Sequence, residues 1–157
     1  MPAAPEVAVA TQLLVDAVDR IIAAAEGLDA EALNWSPAAG ASSLSALSLH
    51  VLGVTRENVL TYICRVATSE RVRAREFEPS AETGTTLAAR WRELRPEVEA
   101  ALEALPAEDL GAPRTHHAFG DLPARELLQR MVTHAYEHAG QAELTRQLLD
   151  GRRAPGP

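Results

Sequence analysis

An all-α fold, arranged as a four-helix bundle, is predicted by two observations. Ala, Leu, Arg and Glu are abundant while only six residues are aromatic, and Ala and the straight-chain residues lose least on entering a helix. Four long stretches also carry apolar residues at intervals of three and four, without internal repeats or low-complexity tracts. At 157 residues the chain matches the usual size of one domain, read as residues 1–157.

The first helix is predicted from Glu6 to Glu26, with Val7, Ala10, Leu14, Ala17, Val18, Ile21 and Ala25 on one face and Gly27 as its stop. Residues 28–41 form a connection in which Asp29 caps a single helical turn and Ser36-Pro37 ends it. A second helix starts at Ser42 or Ser43 and runs to about Ser69. It is apolar nearly all round, so it belongs at the centre, and His50 falls on that buried cylinder. Arg71, Arg73 and Arg75 alternate through a polar stretch ending at Pro79-Ser80, read as a solvated loop with an extended segment. Thr85 or Thr86 caps the third helix, whose Leu87, Trp91, Leu94, Val98 and Leu105 form a core stripe kinked near Pro96. Residues 106–121 are the longest loop, with a small extended piece near Thr115 to Phe119. Asp121 or Leu122 opens the last helix with Pro123 in its first turn. Gly151 closes it, leaving 151–157 as a frayed tail.

Charge and cysteine content narrow the function. The net charge is −7 and every basic residue is Arg, which disfavours a nucleic-acid partner. One cysteine, Cys64, excludes an internal disulfide and any CxxC motif, so a metal here must use His and carboxylates. No membrane-length apolar run and no signal-peptide pattern is present, so a cytoplasmic protein without a membrane partner is expected.

The chemistry concentrates in the last helix. His134 and His138 are four residues apart, which places the imidazoles about 40° apart around the axis and about 6 Å along it, on one face. Such a pair also arises as two hydrogen-bonded core rings. His50 adds a third imidazole to an otherwise apolar helix, where an unpaired ring would cost about 1–3 kcal/mol. Three neutral imidazoles on two core helices suggest one shared metal site with an open position. Glu137 and Gln141 are candidates to support its ligands from behind. His134-Ala-Tyr-Glu137-His138 also fits the H-x-x-E-H zinc-peptidase pattern, but the chain is too short for the substrate chamber of such an enzyme. A di-iron centre of the ferritin type needs Glu three residues before each histidine, and positions 47, 131 and 135 are Leu, Met and Ala.

The string Leu33-Asn34-Trp35-Ser36-Pro37, then Ser43 through His50-Val-Leu-Gly, then His134-x3-His138-Ala-Gly-Gln141 resembles the DinB-like superfamily, in order and over nearly the whole chain. That superfamily includes bacillithiol and mycothiol S-transferases and mycothiol-dependent maleylpyruvate isomerases. The resemblance implies an up-down-down-up bundle and a divalent metal held by His50, His134 and His138, with Zn²⁺ first and Ni²⁺ or Fe²⁺ as alternatives. It further implies transfer of a low-molecular-weight thiol, mycothiol or bacillithiol, to an electrophile, and it allows a homodimer packed through apolar helix faces. The same ligands also suit a non-catalytic metal-binding protein or a metal-dependent hydrolase. Cys64 is read as a small buried residue, so the reacting sulfur must come from outside the chain. His116 and His117 are read as solvent-exposed loop histidines, with a loop that lines the metal pocket as the alternative. Arg65, Arg71, Arg73 and Arg75 are read as a solvated face, with a grip for an acidic substrate as its functional alternative.

Overall fold

A computed structural model describes residues 4–153. Helix α1 spans Pro5–Ala25 with proline at its first turn, where the missing N–H costs nothing. Gly27 then turns the chain at φ 73°. Asp29 caps the short helix α2, Ala30–Asn34, by accepting the Ala32 N–H at 2.9 Å. The side chain of Asn34 bonds the Ser80 carbonyl and the Ser80 N–H, at 2.7 and 3.0 Å, and so fastens the far end of the 64–80 segment.

Helix α3, Leu44–Arg56, is capped by the Ser43 hydroxyl and passes directly into a π-helical stretch, Glu57–Ile63. It stops well short of Ser69 because Arg65 takes a left-handed conformation, φ 59°. Residues 70–80 hold no strand; in place of the expected extended segment lies a 3₁₀ turn, Arg73–Phe77. Helix α4, Gly84–Glu103, is capped by Thr83, two to three residues before the expected Thr85 or Thr86. Thr83 and Thr86 form the reciprocal capping pair, and Pro96 lies inside the helix. Glycine is required at position 84, since a Cβ there would overlap the Ala25 carbonyl, while the Gly84 N–H bonds Leu28 O at 2.9 Å.

After α4 the all-α class gives way where a small extended piece was expected near Thr115 to Phe119. A 3₁₀ turn, Ala107–Gly111, leads into an antiparallel hairpin of β1, Pro113–His116, and β2, Gly120–Pro123, with Arg114 opposite Leu122. Helix α5, Ala124–Arg153, therefore starts later than expected, because Pro123 closes β2. It also runs through Gly151, so residues 151–153 are helical and not a frayed tail. The rest of that tail, 154–157, lies outside the described residues.

Helix α1 packs on α3, α4 and α5, and α3 packs on α4 and α5. The core between them includes Leu14, Ile21, Leu47, Leu87, Leu102 and Leu127, all at most 2% exposed; each such side chain contributes about 1.5–3 kcal/mol by leaving water. Polar ties fix the helix register. Arg20 clamps Glu143 through two hydrogen bonds, at 2.7 and 2.9 Å, and the Trp91 indole N–H donates to Asp19 at 2.6 Å. Buried Arg114 donates from Nε to Ile63 O at 3.0 Å, which lashes the hairpin to the end of the π-helical stretch. Among the described residues, no helix is long and apolar enough to cross a membrane.

Candidate metal centre

Helix α3 supplies His50 and α5 supplies His134 and His138, one turn apart. The three rings meet edge to face, with centroids 4.4–5.2 Å apart. One nitrogen from each lies within 4.8 Å of the others. His50 Nε2 and His134 Nε2 are 3.1 Å apart. Two nitrogens that share a cation at about 2.0–2.1 Å stand about 3 Å from one another, so the spacing suits a shared ion.

The ring nitrogens facing away from this point are mostly occupied. His50 Nδ1 donates to Glu76 Oε2 at 2.9 Å, and His138 Nδ1 donates to Gln141 Oε1 at 2.8 Å. Both bonds put the proton on Nδ1 and leave Nε2 as a lone pair. His138 Nε2 is buried and has no hydrogen-bond partner. A buried, unpaired acceptor is costly in a protein interior, and a divalent ion would satisfy it. Protonation is also opposed. Burial, reinforced by the neighbouring imidazoles, brings His134 down to about 4, and burial lowers His50 despite the pull of Glu76. Neutral imidazole is the form that binds metal, so the donor set fits a divalent ion.

The centre opens on a cavity of about 200 Å³. His50, His134, Val54, Met131 and Phe119 line it together with Arg73, Arg130, His116 and His117, and its described lining includes no carboxylate.

A profile of the DinB superfamily matches residues 13–142. The chain belongs to the DinB superfamily. Comparison with curated proteins gives no match. The crystal structure of a conserved protein from Enterococcus faecalis superposes with a TM-score of 0.72 at 14% identity, covering 91% of this chain and 96% of that one; at that identity the likeness concerns the fold alone.

Several residues of this DinB-superfamily protein sit differently from their sequence reading. His116 is buried, not exposed. Its Nδ1 accepts the Ala118 N–H at 3.1 Å, its Nε2 donates to Asn58 Oδ1 at 2.8 Å, and its ring stacks on Phe119. Burial, with His117 beside it, lowers its pKa. His117 is exposed, as read, but it too lines the cavity, and its Nδ1 lies 3.1 Å from the Tyr62 hydroxyl. Arg71 leaves the solvated face altogether. It bridges Glu57 and Glu76, and its side chain is only 12% exposed. Arg73 lies over the Phe77 ring at 4.7 Å, and Arg75 is exposed. Glu137 is exposed, and among the described residues it makes no hydrogen bond to the histidines. Cys64 is half-buried against the core, and burial pushes its thiol up to about 11.

Glu57 and Glu76 had no sequence signal as site residues, and Arg71 was read only as one of the Arg65–Arg75 group, on a solvated face or as a grip for an acidic substrate. Glu76 and Arg71 come from an irregular segment without apolar periodicity, and Glu57 from a π-helical turn whose apolar residues read as ordinary helix. Asn58 and Tyr62 belong to that same turn, of a kind often found at functional sites.

Proposed function

We propose that this protein is a metal-dependent, thiol S-transferase-like enzyme. His50, His134 and His138 would hold a divalent ion, Zn²⁺ first, and a low-molecular-weight thiol such as mycothiol or bacillithiol would be the co-substrate. The observation that carries the reading is the buried, partnerless Nε2 of His138 beside two further imidazole nitrogens 3.1 Å apart, next to an open cavity. The long helices are read as the up-down-down-up bundle of the superfamily, and the packing of α1 and α3 on their neighbours supports this.

A divalent ion bound there would favour the thiolate form of a coordinated thiol, which is the nucleophile. The chain's own groups do the rest. Glu76 and Gln141 fix two of the rings in the tautomer that offers Nε2 to the centre. Arg73 and Arg130 bring guanidinium donors to the cavity wall, able to take a carboxylate of either substrate. Val54, Met131 and Phe119 supply apolar surface for its body. Cys64 is no rival nucleophile, since its thiol stays protonated at neutral pH.

Protein loaded with Zn²⁺, Ni²⁺ or Fe²⁺ and given mycothiol or bacillithiol with a chlorobimane tests the proposal. Conjugate formation is expected with wild type and is expected to fall to background in His50→Ala. No turnover with any thiol, in protein shown to hold metal, would leave the non-catalytic reading standing. Ester or amide cleavage without thiol would favour the hydrolase.

A further inference from the structure

We propose that Glu76 is a positioning residue of the metal centre: its carboxylate takes the Nδ1–H of His50 and so presents the Nε2 lone pair of that ring to the cation. The inference rests on the three-histidine reading above and adds to it a residue from outside the two ligand-bearing helices.

The carboxylate is built into place. Glu76 is 9% exposed. Arg71 holds both of its oxygens, Nε on Oε1 at 2.5 Å and Nη2 on Oε2 at 2.8 Å. Arg71 is itself held from the other side by Glu57 at 2.7 Å, and Glu57 accepts a further bond from the Ser69 hydroxyl at 2.7 Å. The helix leaves room for this arrangement at one position. Gly53 lies one turn beyond His50, and a Cβ there would overlap Glu76 Oε1. The carboxylate thus occupies the space where any other residue would carry its side chain.

Proton assignment follows from the donors. Arg71 Nη2 also lies 3.3 Å from His50 Nδ1, but a guanidinium only donates, and a ring nitrogen that bears hydrogen cannot accept. The shorter contact to Glu76, at 2.9 Å, decides that Nδ1 carries the proton. The three rings are therefore unequally supported. His50 is backed by a carboxylate, His138 by the neutral amide of Gln141, and His134 has no side-chain partner on Nδ1 among the described residues. A carboxylate behind the ring raises ligand basicity more than an amide does, so His50 is the most strongly donating ligand of the set.

The test measures Zn²⁺ affinity of the full chain by competition with a chromophoric chelator, and the ligand-field spectrum of the Co²⁺ form. Glu76→Gln is expected to weaken binding by about 10–100-fold and to shift the Co²⁺ bands, while Gln141→Ala has a smaller effect. Gly53→Ala, which displaces the carboxylate without deleting it, is expected to weaken binding in the same direction, and it decides the matter should Glu76→Gln not fold. Wild-type affinity with unchanged bands in a folded Glu76→Gln or Gly53→Ala protein overturns this inference alone. A wild-type chain that binds neither ion overturns the metal reading and this inference together.

Discussion

At the scale of single residues, the three histidines were legible because helical geometry is local: four residues bring two rings onto one face, and an imidazole on an apolar helix is conspicuous. Glu76 was not, and Arg71 was read only as a member of a solvated arginine group or a grip for an acidic substrate, not as a partner of Glu76. They sit 26 and 21 residues beyond His50 in sequence, in a polar stretch whose spacing carries no periodic signal. His116 was misread because the Pro- and Gly-rich segment hinted at an extended piece but not at the partner strand and the inward turn of the ring. Cys64 gives the prediction that belongs to this scale. With its thiol held near 11, native protein at pH 8 should resist iodoacetamide, whereas protein in guanidinium should be alkylated promptly; intact-mass spectrometry after timed quenching reads both. Rapid modification of the native chain would refute the half-buried, protonated thiol.

Element boundaries depended on whether capping chemistry was visible. Asp29 was identified as a cap and holds that position, and of the two candidates Ser42 and Ser43 the latter caps α3. The start of α4 was missed by two or three residues because the deciding factor was tertiary: Gly84 approaches the α1 carboxyl end too closely for any side chain. Gly84→Ala must push a backbone carbonyl aside, so a loss of about 1–3 kcal/mol is expected, read as a drop in Tm of roughly 2–4 °C per kcal/mol. Thr83→Ala removes the cap of the same helix and should cost about 0.5–2 kcal/mol. A Gly84→Ala protein that melts with wild type would show that the contact relaxes freely. The hairpin was legible only as a hint, since each strand is four residues long and prolines stand at its two outer ends. The π-helical turn left no trace, because its apolar residues also satisfy an ordinary helix.

For the molecule as a whole, the mostly helical fold followed from composition and spacing. The assembly of the site did not, because it needs α3 and α5 side by side with the 3₁₀ turn Arg73–Phe77 packed on α3. That assembly fixes the pH behaviour of metal-free protein. His134 and His50 are held below the ordinary value of 6.5, so the folded state disfavours protons that the unfolded chain accepts. Their contribution is complete above 6.5 and is lost as pH falls toward the folded value, about 4 for His134. Thermal melts of metal-free protein should therefore decline across that window, and His134→Gln should flatten the decline. Equal slopes in the two proteins would count against the burial of that ring.

The short ribbon that follows α4 has a consequence for how such a chamber can change. His116, His117 and Phe119 reach the cavity from its tip, while the ribbon's anchor is the Arg114 bond to Ile63 at its base. Adding or removing residues between His117 and Gly120 would reshape the space offered to a guest molecule and leave the helix-borne imidazoles undisturbed. Part of the cavity wall thus stands on a piece that can be exchanged, much as a lock keeps its bolt when the wards are recut.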